Sequence, residues 1–242
     1  MFVDIGGGTT DFSLVTYQGA GANHIVLHGT GGIPIAGQSI DGDIVYEKLG
    51  PALGRDKEYE TYPGKRGTLS KNFYMALRDP DEIMRYIKPA TFMEISYARN
   101  KNVNNVPYIN LDFIFRHHLS TYLLDRAENA KVQLSALNDS ATVSIDKVPF
   151  PFSVELQNTE LAKLAHQSLS AIEKSLIQFL DTTKPESGII DYVVLTGGMS
   201  QSPVVQQAIK DIIPNAIYLT KSTDCIALGL AEWGYNPGFT RH

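Results

Sequence analysis

Short apolar runs separated by glycine-rich turns dominate the first forty residues of the chain. Residues 2–6, 11–17 and 23–29 are rich in β-branched and aromatic side chains, a composition typical of strands. Because the turns between them are short, we predict three strands that pair as a meander. Residues 36–50 change to helical spacing and predict a helix, with apolar side chains at Ile40, Ile44, Val45 and Leu49.

Residues 50–105 change character, since Pro, Gly, Lys, Asp and Tyr are common there and strand patterns fade. We interpret residues 60–72 (ETYPGKRGTLSKN) as a loop and residues 111–137 as one long helix. Two strands, 141–150 and 150–156, are predicted after that helix. Residues 50–151 are therefore expected to form an inserted, mostly helical subdomain, and residues 1–49 with 152–242 the main lobe.

Helix and strand patterns alternate in residues 152–242. An amphipathic helix is predicted near 159–180, from an apolar stripe at Leu161, Ala165, Leu169, Ile172, Leu176 and Leu180. Residues 189–198 form an apolar run typical of a strand buried on both faces, and Ser202 with Pro203 opens the next helix. A strand at 216–220 and a helix at 222–233 follow. This order predicts an α/β fold in which helices flank a mixed sheet.

Composition narrows the classes of partner. The chain has 242 residues, 43% of them hydrophobic, and a formal net charge of −5 without a basic run, which disfavours nucleic acid. No apolar run reaches membrane-spanning length, so we expect no membrane partner. A single cysteine excludes an intrachain disulfide and fits a reducing compartment, so we expect a cytoplasmic protein.

The segment MFVDIGGGTTDFSLV carries the clearest chemical pattern. Three adjacent glycines, Gly6, Gly7 and Gly8, let backbone N–H groups approach a phosphate chain, and Thr9 and Thr10 add hydroxyl donors. Asp4 and Asp11 flank this loop, where carboxylates can hold a magnesium-bound water or an attacking water. The alternative is a glycine-rich hairpin turn in which Asp11 caps backbone N–H groups.

Two further groups of residues are candidates for ligand binding. Glu128, Lys131 and Ser135 share one face of the predicted long helix, where a Glu and a Lys suit the hydroxyls of a sugar. The alternative for this pair is a solvated salt bridge, the commonest fate of such spacing. Gly197 and Gly198 end a buried strand, where α/β sheets bind ligands, although a tight turn would also need them.

Three segments carry a resemblance to a known family. DIGGGTTD resembles the second phosphate motif of the actin-like ATPase superfamily, RAENAKVQLS (126–135) resembles the nucleotide helix of the seventy-kilodalton heat-shock chaperones, and VVLTGGMSQSP (193–203) resembles their adenosine motif. GQSIDGDIV (37–45) stands where those chaperones have a Gly-Gly-Glu-Asp-Phe-Asp segment. The order resembles the second lobe of a DnaK-like ATPase domain. It is most similar to the YegD-like branch, whose members end after that domain.

The resemblance implies a nucleotide-binding lobe that, with a first lobe this chain lacks, binds Mg-ATP and hydrolyses it slowly. It implies catalytic roles for Asp4, Thr9 and Asp11, and Mg²⁺ held through water by Asp4 and Asp11. It implies ATP or ADP contacts from Gly6, Gly7, Gly8, Thr9, Thr10, Gly37, Glu128, Lys131, Ser135, Gly197, Gly198, Met199 and Gln201. The partners it implies are the N-terminal lobe of the same protein, co-chaperones and nucleotide-exchange factors.

The sequence differs from the family at the positions that contact the adenine base. The chaperones hold adenine between two arginines, whereas the matching positions here are Val132 and Gln201, and Met199 replaces a serine. We therefore expect intact phosphate and ribose contacts and weaker base contacts. Three alternatives stay open: a filament or scaffold protein of the actin superfamily, a small-molecule kinase of the same superfamily, and a nucleotide binder without turnover.

Overall fold

The computed structural model describes residues 1–17, 25–135, 139–183, 188–221 and 231. The chain divides into two compact units. One unit combines Met1–Gly37 with Ser168–His242, and the other is Gln38–Gln167. The predicted domain boundaries at residues 50 and 151 lie inside the second unit and stay predictions.

The first unit contains a five-stranded mixed sheet, whose strands in spatial order are β3 (Ile25–Ile33), β2 (Thr10–Tyr17), β1 (Phe2–Ile5), β8 (Tyr192–Thr196) and β9 (Ile217–Thr220). The first three strands form an antiparallel meander, while β8 pairs in parallel with both β1 and β9. This mixed sheet flanked by helices is the α/β fold that the sequence predicts.

Alternation along the strands gives this sheet one buried face. Val3, Phe12 and Leu14 are almost fully buried, whereas Asp4 and Asp11 between them point to the opposite face. Helix α9 (His166–Thr182) packs on the buried face through Phe179, whose ring lies 5.7 Å from that of Phe12. Helix α10 (Pro203–Ile212) follows β8, beginning at the Ser202–Pro203 signal that the sequence predicts.

The second unit is mainly helical. Its core contains large buried side chains, among them Tyr74, Tyr108, Phe115, Ile95 and Leu123. Its hairpins are β4–β5 (Tyr59–Tyr62, Lys65–Gly67) and β6–β7 (Ser140–Ile145, Phe152–Gln157). Its helices are α1 (Gly37–Ile44, starting at the last residue of the first unit), α2 (Gly50–Ala52), α3 (Lys71–Ala76), α4 (Pro80–Met84), α5 (Pro89–Lys101), α6 (Val106–Arg116), α7 (Ser120–Ser135) and α8 (Asn158–Leu164). A π-helical turn, Val45–Leu49, joins α1 to α2.

The structure corrects three predicted elements. Residues 60–72 are not a loop, because they contain most of the β4–β5 hairpin, which turns at Gly64 with φ +75°, and the start of α3. The predicted helix 111–137 is two helices, α6 and α7, separated at His118, whose φ is +55°. The predicted helix 159–180 is likewise divided at Ala165, where α8 ends with ψ near 1°. The helix predicted at 222–233 lies outside the described residues.

Candidate functional site

The glycine loop connects β1 to β2 and is held at its two ends. The Gly6 N–H donates to the Thr9 carbonyl at 3.0 Å, and the Gly6 carbonyl accepts the Gly37 N–H at 3.2 Å. Gly7, Gly8 and Thr9 are exposed, and the N–H groups of Gly7 and Gly8 find no acceptor among the described residues. The loop therefore presents backbone donors to solvent on a fixed base.

The fold itself does not require glycine at two of the loop positions. Neither Gly6 nor Gly7 has a positive φ. A Cβ at Gly6 would meet only the Thr9 carbonyl oxygen, at an ordinary 3.6 Å, and a Cβ at Gly7 would meet nothing within 4 Å. Since the surrounding chain leaves room for side chains here, the bare backbone suits the close approach of a ligand.

Asp4 and Asp11 lie side by side across the first two strands. The antiparallel register pairs them directly, so their side chains project from the same face of the sheet. The Thr9 hydroxyl donates to Asp11 Oδ2 at 2.8 Å. Among the described residues, no basic side chain forms an ion pair with either carboxylate. Two negative charges on paired strand positions, with no basic partner in the described residues, favour a bound cation.

Two glycines make room for these carboxylates. Gly197 has φ +85°, and a Cβ there would lie 2.3 Å from the Ile5 carbonyl oxygen and 2.6 Å from Asp4 Oδ1. A Cβ at Gly32 would lie 2.8 Å from Asp11 Oδ1. Each acidic side chain therefore rests against the bare backbone of a neighbouring strand or strand end, and bulk at either glycine would displace it.

The carboxyl end of β8 lies beside the same carboxylate. Thr196 is the register partner of Asp4 across the parallel pair, and the chain then turns through Gly197 into a short 3₁₀ turn, Gly198–Gln201. A Cβ at Gly198 would meet nothing within 4 Å, and the side chain of Gln201 is exposed. Met199 is buried and so contributes to packing of the turn.

Thr10, one of the two loop threonines, has a structural role. Thr10 is fully buried, and its hydroxyl donates to the Ile35 carbonyl at 2.7 Å. Thr9, in contrast, is exposed beside Asp11. Of the two hydroxyls predicted as phosphate donors, the structure therefore places only that of Thr9 at the surface of the loop.

The second unit carries the predicted ribose residues on α7. Glu128 and Val132 are exposed, whereas Lys131 is buried, with its Nζ 2.8 Å from Asp41 Oδ1. The Ser135 hydroxyl donates to the Lys131 carbonyl at 3.1 Å, within the same helix. The predicted common face is thus split, with the Glu128 carboxylate outside and the Lys131 ammonium inside.

The surroundings of Asp41 strongly shift the pKa of its carboxyl group. Burial raises the pKa of Asp41 to about 6, while the neighbouring Lys131 ammonium lowers it and the Glu128 carboxylate raises it further. The effect of burial is the largest of these, so the attraction of Lys131 does not fully offset the loss of solvent. Buried ionisable groups with a specific charged partner are candidates for functional sites.

Sequence reasoning did not identify Gly32 or Asp41. Gly32 matters only because the β2–β3 register places it opposite Asp11, and register depends on contacts between strands. Asp41 meets a lysine ninety positions away in the chain. The only local signal was the pair of acids, Asp41 and Asp43, beside the apolar positions Ile40 and Ile44 of the predicted helix.

The residues present fit a magnesium–phosphate ligand. Mg²⁺ is commonly bound by one or two carboxylates together with phosphate oxygens and water, and does not need a complete protein cage. Asp4 and Asp11 supply two carboxylates, and no group of three or more His, Cys, Asp or Glu side chains suited to a metal occurs among the described residues. Gly7 and Gly8 supply the outward backbone donors that a phosphate needs.

The fold and the glycine loop indicate the class of protein to which the chain belongs, and similarity to known proteins indicates its family. The mixed sheet with its antiparallel meander and glycine turn is consistent with an actin-like ATPase fold. The chain belongs to the Hsp70 family, whose model, described as Hsp70 protein, matches residues 109–232, just over half of the chain.

Individual relatives share a smaller part of their length with the chain. Chaperone protein DnaK of Ureaplasma urealyticum is 26% identical over 135 residues, which cover 52% of this chain and 22% of that protein. Chaperone protein dnaK1 of Synechococcus elongatus is 32% identical over 120 residues, covering 45% and 18%. The match thus spans about a fifth of these relatives. No helix in the described part of the chain is long and apolar enough to cross a membrane.

Proposed function

We propose that the chain is the second, nucleotide-binding lobe of a chaperone-type ATPase of the YegD-like branch. In this proposal residues 1–49 and 152–242 form the lobe, and residues 50–151 are an insertion that carries the ribose-contacting helix. The intact protein binds Mg-ATP with a first lobe and hydrolyses it slowly in the cytoplasm. Co-chaperones or nucleotide-exchange factors act on it. The membership in the Hsp70 family supports the class of protein.

The observation that carries the proposal is the pairing of Asp4 with Asp11 beside an open glycine turn. The two carboxylates project from one face, and the turn between them offers the N–H groups of Gly7 and Gly8, which no described residue accepts. A hairpin turn serving only the fold would need neither feature. Carboxylates repel phosphates, so this arrangement is useful for nucleotide binding only with a cation between the two kinds of anion.

In this proposal, Mg²⁺ supplies neutralisation of the phosphate charge. The N–H groups of Gly7 and Gly8 bind phosphate oxygens, and the Thr9 hydroxyl fixes the rotamer of Asp11 by donating to it. Asp4 and Asp11 would hold the cation through water and would orient the attacking water. Phosphoryl transfer depends mainly on positioning and charge neutralisation, so these groups suffice without a covalent nucleophile.

The adenosine is assigned to the remaining predicted residues. We propose that Gly197 and Gly198 leave room for it at the carboxyl end of β8, where the Cβ position of Gly198 is open. Gly37 anchors the loop through the Gly6 carbonyl. On α7, Glu128, Lys131 and Ser135 are assigned to the ribose, and Met199 and Gln201 to the base.

The test is a comparison of three Asp→Asn variants in the intact protein. Asp4→Asn and Asp11→Asn should each lower ATP turnover about a hundredfold, because each removes a charge that acts on metal and water. Asp11 is exposed, so Asp11→Asn should change the melting temperature little. Asp211→Asn, an exposed acid on α10, is the matched control and should leave turnover unchanged.

Titration calorimetry with ATP, in Mg²⁺ and in EDTA, completes the test. We expect binding in Mg²⁺ and much weaker binding in EDTA, since the two carboxylates then face the phosphates directly. Equal affinity in both buffers, or unchanged turnover in Asp11→Asn, would return Asp11 to the role of a turn residue that accepts from Thr9.

A further inference from the structure

Asp41 and Lys131 form a buried ion pair for which the packing of the fold gives no evident reason. Both oxygens of Asp41 lie 2.8 Å from Lys131 Nζ, and both side chains are only 4% exposed. Lys131 donates a hydrogen bond to Asp41 Oδ2. Asp41 Oδ1, although equally close to the ammonium, is buried and accepts no hydrogen bond from the described residues. The pair joins α1 to α7 within the second unit.

The ion pair between Asp41 and Lys131 is an inefficient way to stabilise the folded state. Burial outweighs the attraction of Lys131 and raises the pKa of Asp41 to about 6, so the folded state tolerates the ionised carboxylate less well than water does. Buried ion pairs can often be replaced by apolar side chains without loss of stability. A second role for the pair would account for two charged side chains in a buried position.

Glu128 competes with Asp41 for the same ammonium. It lies three residues before Lys131 on α7, a spacing at which Glu and Lys side chains reach each other on a helix. Glu128 is close enough to Asp41 to raise the pKa of that carboxyl. It nevertheless forms no ion pair with any described residue and is exposed. In the structure Lys131 pairs with Asp41, and the Glu128 carboxylate has no ion-pair partner among the described residues.

We propose that Asp41 is a positioning residue that holds Lys131 away from Glu128 and so keeps the Glu128 carboxylate available to a sugar hydroxyl. This inference rests on the proposed function, in which α7 contacts the ribose. A carboxylate already paired with an ammonium three residues away would accept a ribose hydroxyl less well, because the lysine would occupy its lone pairs. Asp41 thereby affects nucleotide binding without touching the nucleotide.

The first experiment measures the affinity of the intact protein for ATP and for inorganic tripolyphosphate, which has no sugar. In Asp41→Asn, Lys131 should turn to Glu128, and ATP should bind about tenfold more weakly while tripolyphosphate binds as in the wild type. Asp43→Asn is the matched control, because Asp43 is an equally buried acid on α1 that pairs with a different cation, Arg78. It should change neither affinity.

The second experiment needs no substitution. As the pH falls through about 6, Asp41 takes up a proton and loses its hold on Lys131, so the ratio of ATP to tripolyphosphate affinity should fall. Within the described part of the chain, the charged groups that face Asp41 are Lys131 and Glu128, both on α7. Asp41→Asn should lack this step, whereas Asp43→Asn should keep it.

Each outcome has a definite consequence. Equal loss of ATP and tripolyphosphate in both variants would make Asp41 purely structural and overturn the inference. An unchanged ATP affinity in folded Asp41→Asn, or a flat wild-type ratio between pH 5 and 7, about one unit on either side of the transition, would overturn it as well. Failure of the wild type to bind either ligand would instead remove the proposed function. If Asp41→Asn does not fold, the wild-type pH profile decides.

Discussion

At the scale of single residues, Gly197 and Gly198 are adjacent glycines with opposite roles. Gly197→Ala would place a methyl group 2.3 Å from the Ile5 carbonyl oxygen, at φ +85°, so backbone rather than a flexible side chain would have to move. We expect this substitution to lower the free energy of unfolding by about 2–4 kcal/mol, measured by denaturant titration. Gly198→Ala meets nothing within 4 Å and should change stability by less than about 1 kcal/mol.

The same pair also tests the position of the ligand. If the nucleotide covers Gly198 as proposed, Gly198→Ala should weaken ATP binding in the intact protein although the protein folds normally. A stable Gly198→Ala variant with wild-type ATP affinity would place the nucleotide elsewhere. A stable Gly197→Ala variant would mean that β1 and the end of β8 can separate at little cost.

Gln201 is the proposed base-contacting residue that a single substitution can test. Gln201 is exposed, and its amide cannot stack on adenine as a guanidinium does. Gln201→Arg should therefore tighten ATP binding by about 1–2 kcal/mol, roughly tenfold, in a titration of the intact protein. Gln207→Arg adds the same charge at another exposed position, on α10, and should have little effect. Equal tightening by both variants would point to general charge attraction, and no tightening would mean that Gln201 does not face the base.

The residues that could be predicted from the sequence are those whose chemistry is local. Asp4, Asp11 and the three glycines occupy eight consecutive positions, so one strand–turn–strand brings them together. Gly32 and Asp41 could not be found this way, because each acts through a residue from a distant part of the chain. The burial of the Lys131 ammonium was equally hidden, since helical spacing places Glu128 and Lys131 on one face but does not say what packs against it.

At the scale of elements, the packing of α9 on β3 depends on missing side chains in the strand. A Cβ at Gly31 would lie 2.8 Å from the Phe179 ring, and a Cβ at Gly29 would lie 2.8 Å from the Thr183 methyl group. Phe12 lies directly opposite Gly31 in the register, and its ring also contacts Phe179. The glycines of β3 therefore let the helix approach the sheet closely over its buried face.

A double-mutant cycle on Gly31 and Phe179 tests this packing. Phe179→Ala should cost about 3–5 kcal/mol of stability, because it leaves a cavity between helix and sheet. Gly31→Ala alone should also destabilise, because its methyl group meets the ring. In the double variant the methyl group occupies part of the cavity, so the loss should be smaller than the sum of the two single losses. Strict additivity in denaturant titrations would show that the two positions do not share a packing site.

Element type was more predictable than element boundaries. Strands β1–β3 and β8 follow from apolar runs and nearby glycines, β9 from its apolar run, and helix α10 from its Ser–Pro start. The breaks at His118 and Ala165 have no such signal. Alanine is a strong helix former, and the apolar periodicity continues on either side of both breaks, so local preference does not predict these interruptions. The β4–β5 hairpin was hidden because Lys65 and Arg66 are polar and exposed.

At the scale of the whole molecule, each unit has its own set of buried apolar side chains. Val3, Phe12 and Leu195 belong to the core of the first unit, and Tyr74 and Phe115 to that of the second. We therefore expect the 242-residue chain to fold without further polypeptide. Cooperative thermal unfolding followed by far-ultraviolet circular dichroism would show this. Absence of a cooperative transition would mean that the units depend on a part of the protein beyond these residues.

The isolated chain should nevertheless be a weak nucleotide binder without turnover. Gly7, Gly8, Thr9 and Asp11 are all exposed, so water competes for the phosphate donors and screens the charges that should act on the transferred group. In the proposal, the first lobe supplies the other half of the phosphate cradle and excludes this water. Calorimetry should therefore give a dissociation constant for Mg-ATP above about 100 μM, and a phosphate-release assay should show no turnover, while the intact protein binds more tightly and hydrolyses ATP. The Asp11→Asn variant of the same chain is the control for contaminating ATPase activity. Micromolar affinity together with steady turnover that Asp11→Asn abolishes would show that one lobe is a complete enzyme, and the two-lobed proposal would then be wrong.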